Sequence, residues 1–314
     1  MRKILVPLDG SRSAEFGLSA AARVAAETGG ELVLLWAVPF QGAVHGGKRE
    51  SEQTEIRVTV AYLEATRQSL AAQGLTARSL VLPGDAVRAI LFAAEVEEVD
   101  LISMATHGHG GMLDRLLGST TAAVLRATDR PLLIARGDAQ LEEETVPLRT
   151  ILVGLDGTPF AESALSYLAE SGLGREASIL LVRAVESGPV DPGLASVSEQ
   201  ALERVVAEAR RRTEQHLQGA EAYLRATAET KLPARRSRII ALAGEPASVL
   251  VEAAAGEHAD LVVLATHGRR GADWLLHGSV AQEVLRHSKA PVLILHGAAA
   301  AADQPAGEQP SLPS

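Results

Sequence analysis

A chain of 314 residues, 46% of them hydrophobic and 22% charged, is long enough to bury two cores of ordinary size rather than one oversized core. Its net charge of -9 and its 3% aromatic content speak against nucleic acid or an anionic membrane surface as general partners, while leaving room for a local basic pocket that holds a phosphate. Cysteine is absent, which removes disulfide scaffolds, thiol nucleophiles and thiolate metal sites, and no apolar run approaches the roughly 18 residues of a membrane span.

The chain enters a strand-like run at Lys3 with no signal-peptide pattern, and a cytoplasmic protein is expected. Ile4 to Leu8 is continuously apolar, as a strand buried on both faces must be. Ser11 is a candidate N-cap for a helix from about Arg12 that Gly29-Gly30 closes. Leu32 to Val38 reads as the second strand, an amphipathic helix spans roughly Glu50 to Gln73, and Ala77 to Leu82 is the third strand. A helix from Asp85 to Glu98, the strand Leu101 to Ala105, a Gly-rich loop, a helix from about Ser119 and the strand Leu132 to Ala135 complete a first unit, 1–136. Residues 137–148 are acidic, contain Pro147 and read as a linker.

The same order then returns over 149–297. Arg2-Lys-Ile-Leu-Val-Pro-Leu-Asp-Gly-Ser11 reappears as Arg149-Thr-Ile-Leu-Val-Gly-Leu-Asp-Gly-Thr158, and Val99-Asp-Leu-Ile-Ser-Met-Ala-Thr-His-Gly108 as Ala259-Asp-Leu-Val-Val-Leu-Ala-Thr-His-Gly268. Thr158-Pro159 predicts an N-cap followed by proline at the first helical position. The second copy is longer between its second strand, Leu180 to Val185, and Ala222-Tyr-Leu, the echo of Ala61-Tyr-Leu; Gly, Pro and Ser residues from Ser187 to Ser198 place a loop there. The alternation of strands and helices predicts an α/β fold in each copy, a parallel sheet with helices on both faces. Residues 298–314, rich in Ala, Pro and Gln, have nothing to pack and are expected to be disordered.

In an open parallel sheet, ligands bind outside the carboxyl ends of the strands where strand order reverses. Three segments of the first copy arrive there: Pro7-Leu8-Asp9, Ala37-Val38 and the loop Thr106 to Gly118. Their counterparts are Gly154-Leu155-Asp156, Ala184-Val185 and Thr266 to Gly278. Nine residues separate Gly108 from Gly118, and nine separate Gly268 from Gly278. Glycine lets a ligand approach the backbone without a Cβ in the way. Gly-Ser at a helix start, Gly118-Ser119 and Gly278-Ser279, leaves free N–H groups and the positive end of the dipole facing an anion, which makes a phosphate cradle.

On these residues the chain resembles the universal stress protein family, in both halves. The ATP-binding signature of that family is glycine, two residues, glycine, nine residues, then glycine with Ser or Thr; here Ala105 and Ala265 stand in place of the first glycine. The resemblance implies two Rossmann-like (adenine nucleotide alpha hydrolase-like) domains, each a five-stranded parallel sheet of order 3-2-1-4-5. It implies Asp9 and Asp156 against the nucleoside and adenine contacts near Ala37 and Ala184. Phosphate contacts are implied at Gly108, Gly118, Ser119 and Thr120, and at Gly268, Gly278, Ser279 and Val280. Pro7, Met104, Gly154 and Leu264 flank these positions and complete the candidate set. The implied ligand is ATP, alone or with Mg2+. The implied pairing is an internal pseudo-dimer through edge strands 132–135 and 292–295, and a homodimer of the whole chain is allowed.

Each assignment has a plainer alternative. The glycines could serve only tight strand-to-helix connections, and Asp9 and Asp156 could simply cap the next helix. His107 and His267 shape the loop or reach a phosphate. His107-x-His109 looks like a metal pair or a fragment of a nucleotidyltransferase signature, but position 109 becomes Arg269 in the second copy, and no metal ligand or catalytic residue is assigned. Arg269-Arg270 is a phosphate clamp or a solvated loop tip, and Arg210-Arg-Arg212 a solvated face. No Walker loop occurs and no Ser-His-Asp or paired-carboxylate arrangement repeats, so binding rather than turnover is expected. The competing reading is a nucleotide-free module for dimerisation and partner binding.

Overall fold

The computed structural model describes residues 1–38, 49–106, 117–136, 146–185, 199–231, 236–266 and 279–296. The first half runs β1 (Lys3–Pro7), α1 (Arg12–Thr28), β2 (Glu31–Val38), α2 (Arg49–Ala72), β3 (Ala77–Pro83), α3 (Ala86–Val96), β4 (Leu101–Ala105), α4 (Ser119–Ala127) and β5 (Leu132–Ala135). The second runs β6 (Thr150–Gly154), α5 (Ser163–Ser171), β7 (Ser178–Val185), α6 (Glu199–Lys231), β8 (Ser237–Ala243), α7 (Pro246–Gly256), β9 (Leu261–Thr266), α8 (Ser279–His287) and β10 (Val292–His296).

Local chemistry sets the helix ends. Ser11 Oγ accepts from the Ala14 N–H, and Gly29, at φ 67°, returns its own N–H to the Ala25 carbonyl. Asp85 caps α3 through the Arg88 N–H. At Thr158-Pro159 the expected start is corrected. Thr158 Oγ1 does accept from the Ala161 N–H, but regular α-helix begins only at Ser163. Pro159 has no N–H to give, and although the Glu162 amide reaches the Thr158 carbonyl, those of Ser163, Ala164 and Leu165 bond three residues back, to Phe160, Ala161 and Glu162, so a tighter 3-10-like turn leads into α5. The extra length of the second copy is also placed more fully than expected: α6 has 33 residues against 24 in α2, so part of it is helix. The loop expected over 187–198 and the tail over 298–314 lie outside the described residues, as does the linker up to 145. The end of that linker is packed, with Leu148 buried and its N–H donated to Glu27 at 2.6 Å.

All ten strands form one sheet, in the order β3-β2-β1-β4-β5-β10-β9-β6-β7-β8. Pairing is parallel within each half and antiparallel only where β5 meets β10, with Leu133 opposite Leu293. A parallel sheet carries helices on both faces and needs apolar residues on both. On one face Ile4, Val6, Leu133 and Leu293 pack under α1, α2, α5 and α6. On the other Leu5, Ile134, Val292 and Ile294 pack under α3, α4, α7 and α8. Each core therefore runs unbroken across the seam, where every fully buried Leu or Ile contributes about 1.5–3 kcal/mol.

Polar groups close the seam on the α1 side. Arg23 donates to Asp260 at 2.8 Å and to the Val146 carbonyl at 2.9 Å, while Glu27 also accepts from the Gly174 N–H at 2.7 Å. Asp260 in turn accepts from the amides of Arg149 and Thr150, as Asp100 does from those of Arg2 and Lys3. The repeated Asp thus pins the first strand of each half to its fourth. At the end of β10, His296 lies opposite Thr266 of β9; its Nε2 is buried without a hydrogen-bond partner, and burial pushes its pKa down against the opposing pull of Asp129. An unfolded histidine takes up its proton near pH 6.5, whereas the buried ring resists it, so the unfolded state gains as the pH drops through and below that value. Urea titrations should show stability falling between pH 7 and pH 5, and His296→Leu should reduce that fall while leaving stability above pH 7.5 nearly unchanged.

Candidate functional site

The sheet order reverses between β1 and β4, and between β6 and β9, and the carboxyl ends of strands at such a switch point are where a ligand crevice is expected. In the first half the described candidates at this end are Pro7 at the end of β1 and Asp9 after it, Ala37 in β2, Met104 and Ala105 at the end of β4, and Gly118, Ser119 and Thr120 at the start of α4. In the second they are Gly154, Asp156, Ala184, Leu264, Ala265, Ser279 and Val280. His107, Gly108, His267, Gly268, Arg269 and Gly278 lie outside the described residues.

Both aspartates are exposed and organise the strand-to-helix turn instead of capping the helix. Asp9 Oδ1 accepts from the Ser11 N–H at 2.9 Å, and Asp156 Oδ1 accepts from the N–H and hydroxyl of Thr158 at 2.8 and 2.6 Å. The glycines that follow adopt φ of 76° and 91°, which an L side chain rarely tolerates. Met104 and Leu264 are buried core side chains. Gly154 is a packing glycine: a Cβ there would sit 2.6 Å from Leu264. Ala105 and Ala265 pack against the core under α1 and α5.

The entrance to α4 is the electropositive feature. Gly118, at φ -53° and ψ 147°, offers no side chain, and no side-chain hydrogen bond caps this helix. Ser119 is exposed and Thr120 half-buried. The helix is fixed to the strand by the buried Thr121, which donates to the Ala105 carbonyl at 3.0 Å, and Ser13 donates to the Thr106 carbonyl at 3.1 Å. The second half has Ala281 in place of this threonine, and Thr266 Oγ1 is buried without a partner.

A second constellation was not singled out from the sequence. Behind each strand-to-helix turn a tyrosine of the long helix faces a carboxylate of the next helical segment and a residue of the second strand. In the first half Trp36 meets Tyr62 edge-on at 5.7 Å, and burial followed by Glu15 raises the Tyr62 pKa. In the second, Tyr223 donates to Glu162 at 2.9 Å while the Arg183 guanidinium lies 5.1 Å over its ring. Burial and the Glu162 contact push the Tyr223 pKa up to about 12. The signal was the pair of echoes Trp36-Ala-Val and Arg183-Ala-Val with the repeated Ala-Tyr-Leu. Among the described residues no cluster of three or more His, Asp or Glu could hold a metal ion, and no helix is long and apolar enough to cross a membrane.

The sequence model of the Universal stress protein family matches residues 1–136 and again 147–296. The chain belongs to the universal stress protein family. A universal stress protein of Mycobacterium tuberculosis (strain ATCC 25618 / H37Rv) is 29% identical over 203 residues, covering 63% of this chain and 62% of that protein, so the match spans less than two thirds of the relative's length. One from Thermus aquaticus is 32% identical over 147 residues, 47% of this chain and 98% of its own. Among solved structures, a universal stress protein from Archaeoglobus fulgidus DSM 4304 superposes with a TM-score of 0.65 at 20% identity, over 94% of this chain and 98% of that one, a likeness of fold. The tandem universal stress protein fold therefore accounts for both halves. Its α4 anchor is testable: Thr121→Val leaves the Ala105 carbonyl without its hydroxyl partner and should destabilise the chain by about 1–3 kcal/mol, read as a lower urea midpoint.

Proposed function

We propose that this tandem universal stress protein binds ATP in the cytoplasm and acts as a nucleotide-dependent regulator of partner surfaces, without strong catalysis. The observation that carries the reading is the uncapped, partly exposed start of α4 at Gly118-Ser119, held against the end of β4 by Thr121. Its N–H groups and the dipole behind them suit a phosphate, and in this reading the nucleoside would lie toward the Asp9 turn and Ala37. In the second half Ser279 and Val280 begin the corresponding helix, and the reading gives Asp156 and Ala184 the roles of Asp9 and Ala37. Mg2+ would accompany the phosphates rather than occupy a protein cage. Two or three charge-assisted hydrogen bonds of about 1.5–3 kcal/mol each, set against the entropy of association, correspond to micromolar affinity.

A nucleotide-free role in dimerisation and partner binding draws support from Ala105 and Ala265, which stand where the family's signature has glycine. Calorimetric titration of the nucleotide-stripped chain with ATP separates the two readings. Heat saturating at micromolar ATP is the expected result, and none up to millimolar ATP would overturn the ATP reading. Gly268→Val should remove the binding of the second half and leave unfolding cooperative, and phosphate release from ATP should stay at background whether or not His107 and His267 are changed to Ala.

A further inference from the structure

The guanidinium of Arg183 is held in an unusual way. A Cβ built on Gly157 would lie 2.8 Å from its Nη2, 2.9 Å from its Cζ and 2.9 Å from its Nη1, so the glycine faces the plane of the group almost squarely. The Tyr223 ring also lies against it, with Cζ 5.1 Å from the ring centroid. The cation is half-buried, and among the described residues no hydrogen bond or ion pair takes up its donors. The nearby carboxylates are engaged elsewhere, Asp156 with Thr158 and Glu162 with Tyr223. The N–H fork of a guanidinium is planar by delocalisation, and contacts of this kind fix the direction of that plane, the geometry that meets two oxygens of a phosphate at once. In the first half the corresponding place, against Gly10 and Tyr62, holds the neutral Trp36.

We propose that Arg183, clamped between Gly157 and Tyr223, forms an oxyanion subsite present once per chain and suited to a phosphate group. It is separate from the helix entrance of the ATP reading. β7 and β9 flank β6 on opposite sides, which sets the carboxyl ends of these two strands about 10 Å apart, wider than one phosphate group. The second half thus takes an anion at a position where the first presents an aromatic surface.

The test is calorimetric titration of the full-length chain with inorganic pyrophosphate, comparing wild type with Arg183→Gln and Arg183→Trp. The tryptophan variant transplants the side chain that the first half already accommodates, and thermal unfolding checks that both variants fold. Wild type should bind one more pyrophosphate per chain than either variant, or bind it at least tenfold more tightly. Equal stoichiometry and affinity in all three proteins overturns the subsite, as does the absence of pyrophosphate binding by wild type. Parallel titrations with ATP separate the two readings. ATP affinity unchanged in the variants supports a distinct subsite, and ATP affinity that falls together with pyrophosphate affinity overturns its separateness. Pyrophosphate binding without ATP binding in wild type leaves the subsite standing and removes the nucleotide reading.

Discussion

The antiparallel pairing of β5 with β10 is the contact on which the rest of the molecule rests. A parallel five-stranded sheet ends in a strand whose outer N–H and C=O groups lack partners, and its two faces end in apolar residues that water would reach. Turning a second copy through a half-rotation against the first satisfies both needs. The edge groups pair, and Leu133 with Leu293 on one face and Ile134 with Val292 on the other continue the cores without a break. Because each half buries its edge in the other, the polar contacts around the seam are pinned as well: Arg23 to Asp260, Glu27 to Leu148 and Gly174, and His296 enclosed without a partner for its Nε2.

That arrangement gives each half the same switch point at the carboxyl ends of its strands while leaving the side chains there free to differ. The backbone frame is shared, since Asp9 and Asp156 organise the same turn and the glycines after them take the same left-handed conformation. The side chains around the frame have diverged. Thr121 ties α4 to β4 in one half and Ala281 cannot make the equivalent bond in the other; Trp36 and Arg183 put an aromatic ring and a cation at equivalent places. The framework tolerates such exchange because these positions touch only local neighbours and not the sheet pairing.

Much of the fold is legible in the sequence. Strands buried on both faces leave continuous apolar runs, so β1 and β4 were found within a residue or two, and Ser11 and Gly29 marked the ends of α1 because caps act locally. The start of α5 was misplaced because proline and threonine specify a turn without specifying whether its hydrogen bonds reach back three residues or four. The role of Gly154 was hidden for a different reason: its need for no side chain comes from Leu264 and Leu250, which lie far along the chain. Met104 and Leu264 likewise entered as candidate contacts and prove to be core side chains.

By itself the sequence determined the repeat, the alternation of strand and helix, the polarity of each face and the turn chemistry after each first strand, because these follow from spacing and from the conformational limits of single residues. Only the tertiary structure decided which edges meet, which aspartate takes an arginine from the other half, and that Arg183 comes to rest between a glycine and a tyrosine some forty residues further along the helix that follows. Such pairings depend on the distance between groups brought together by the whole sheet, and no local pattern of residue types encodes that distance.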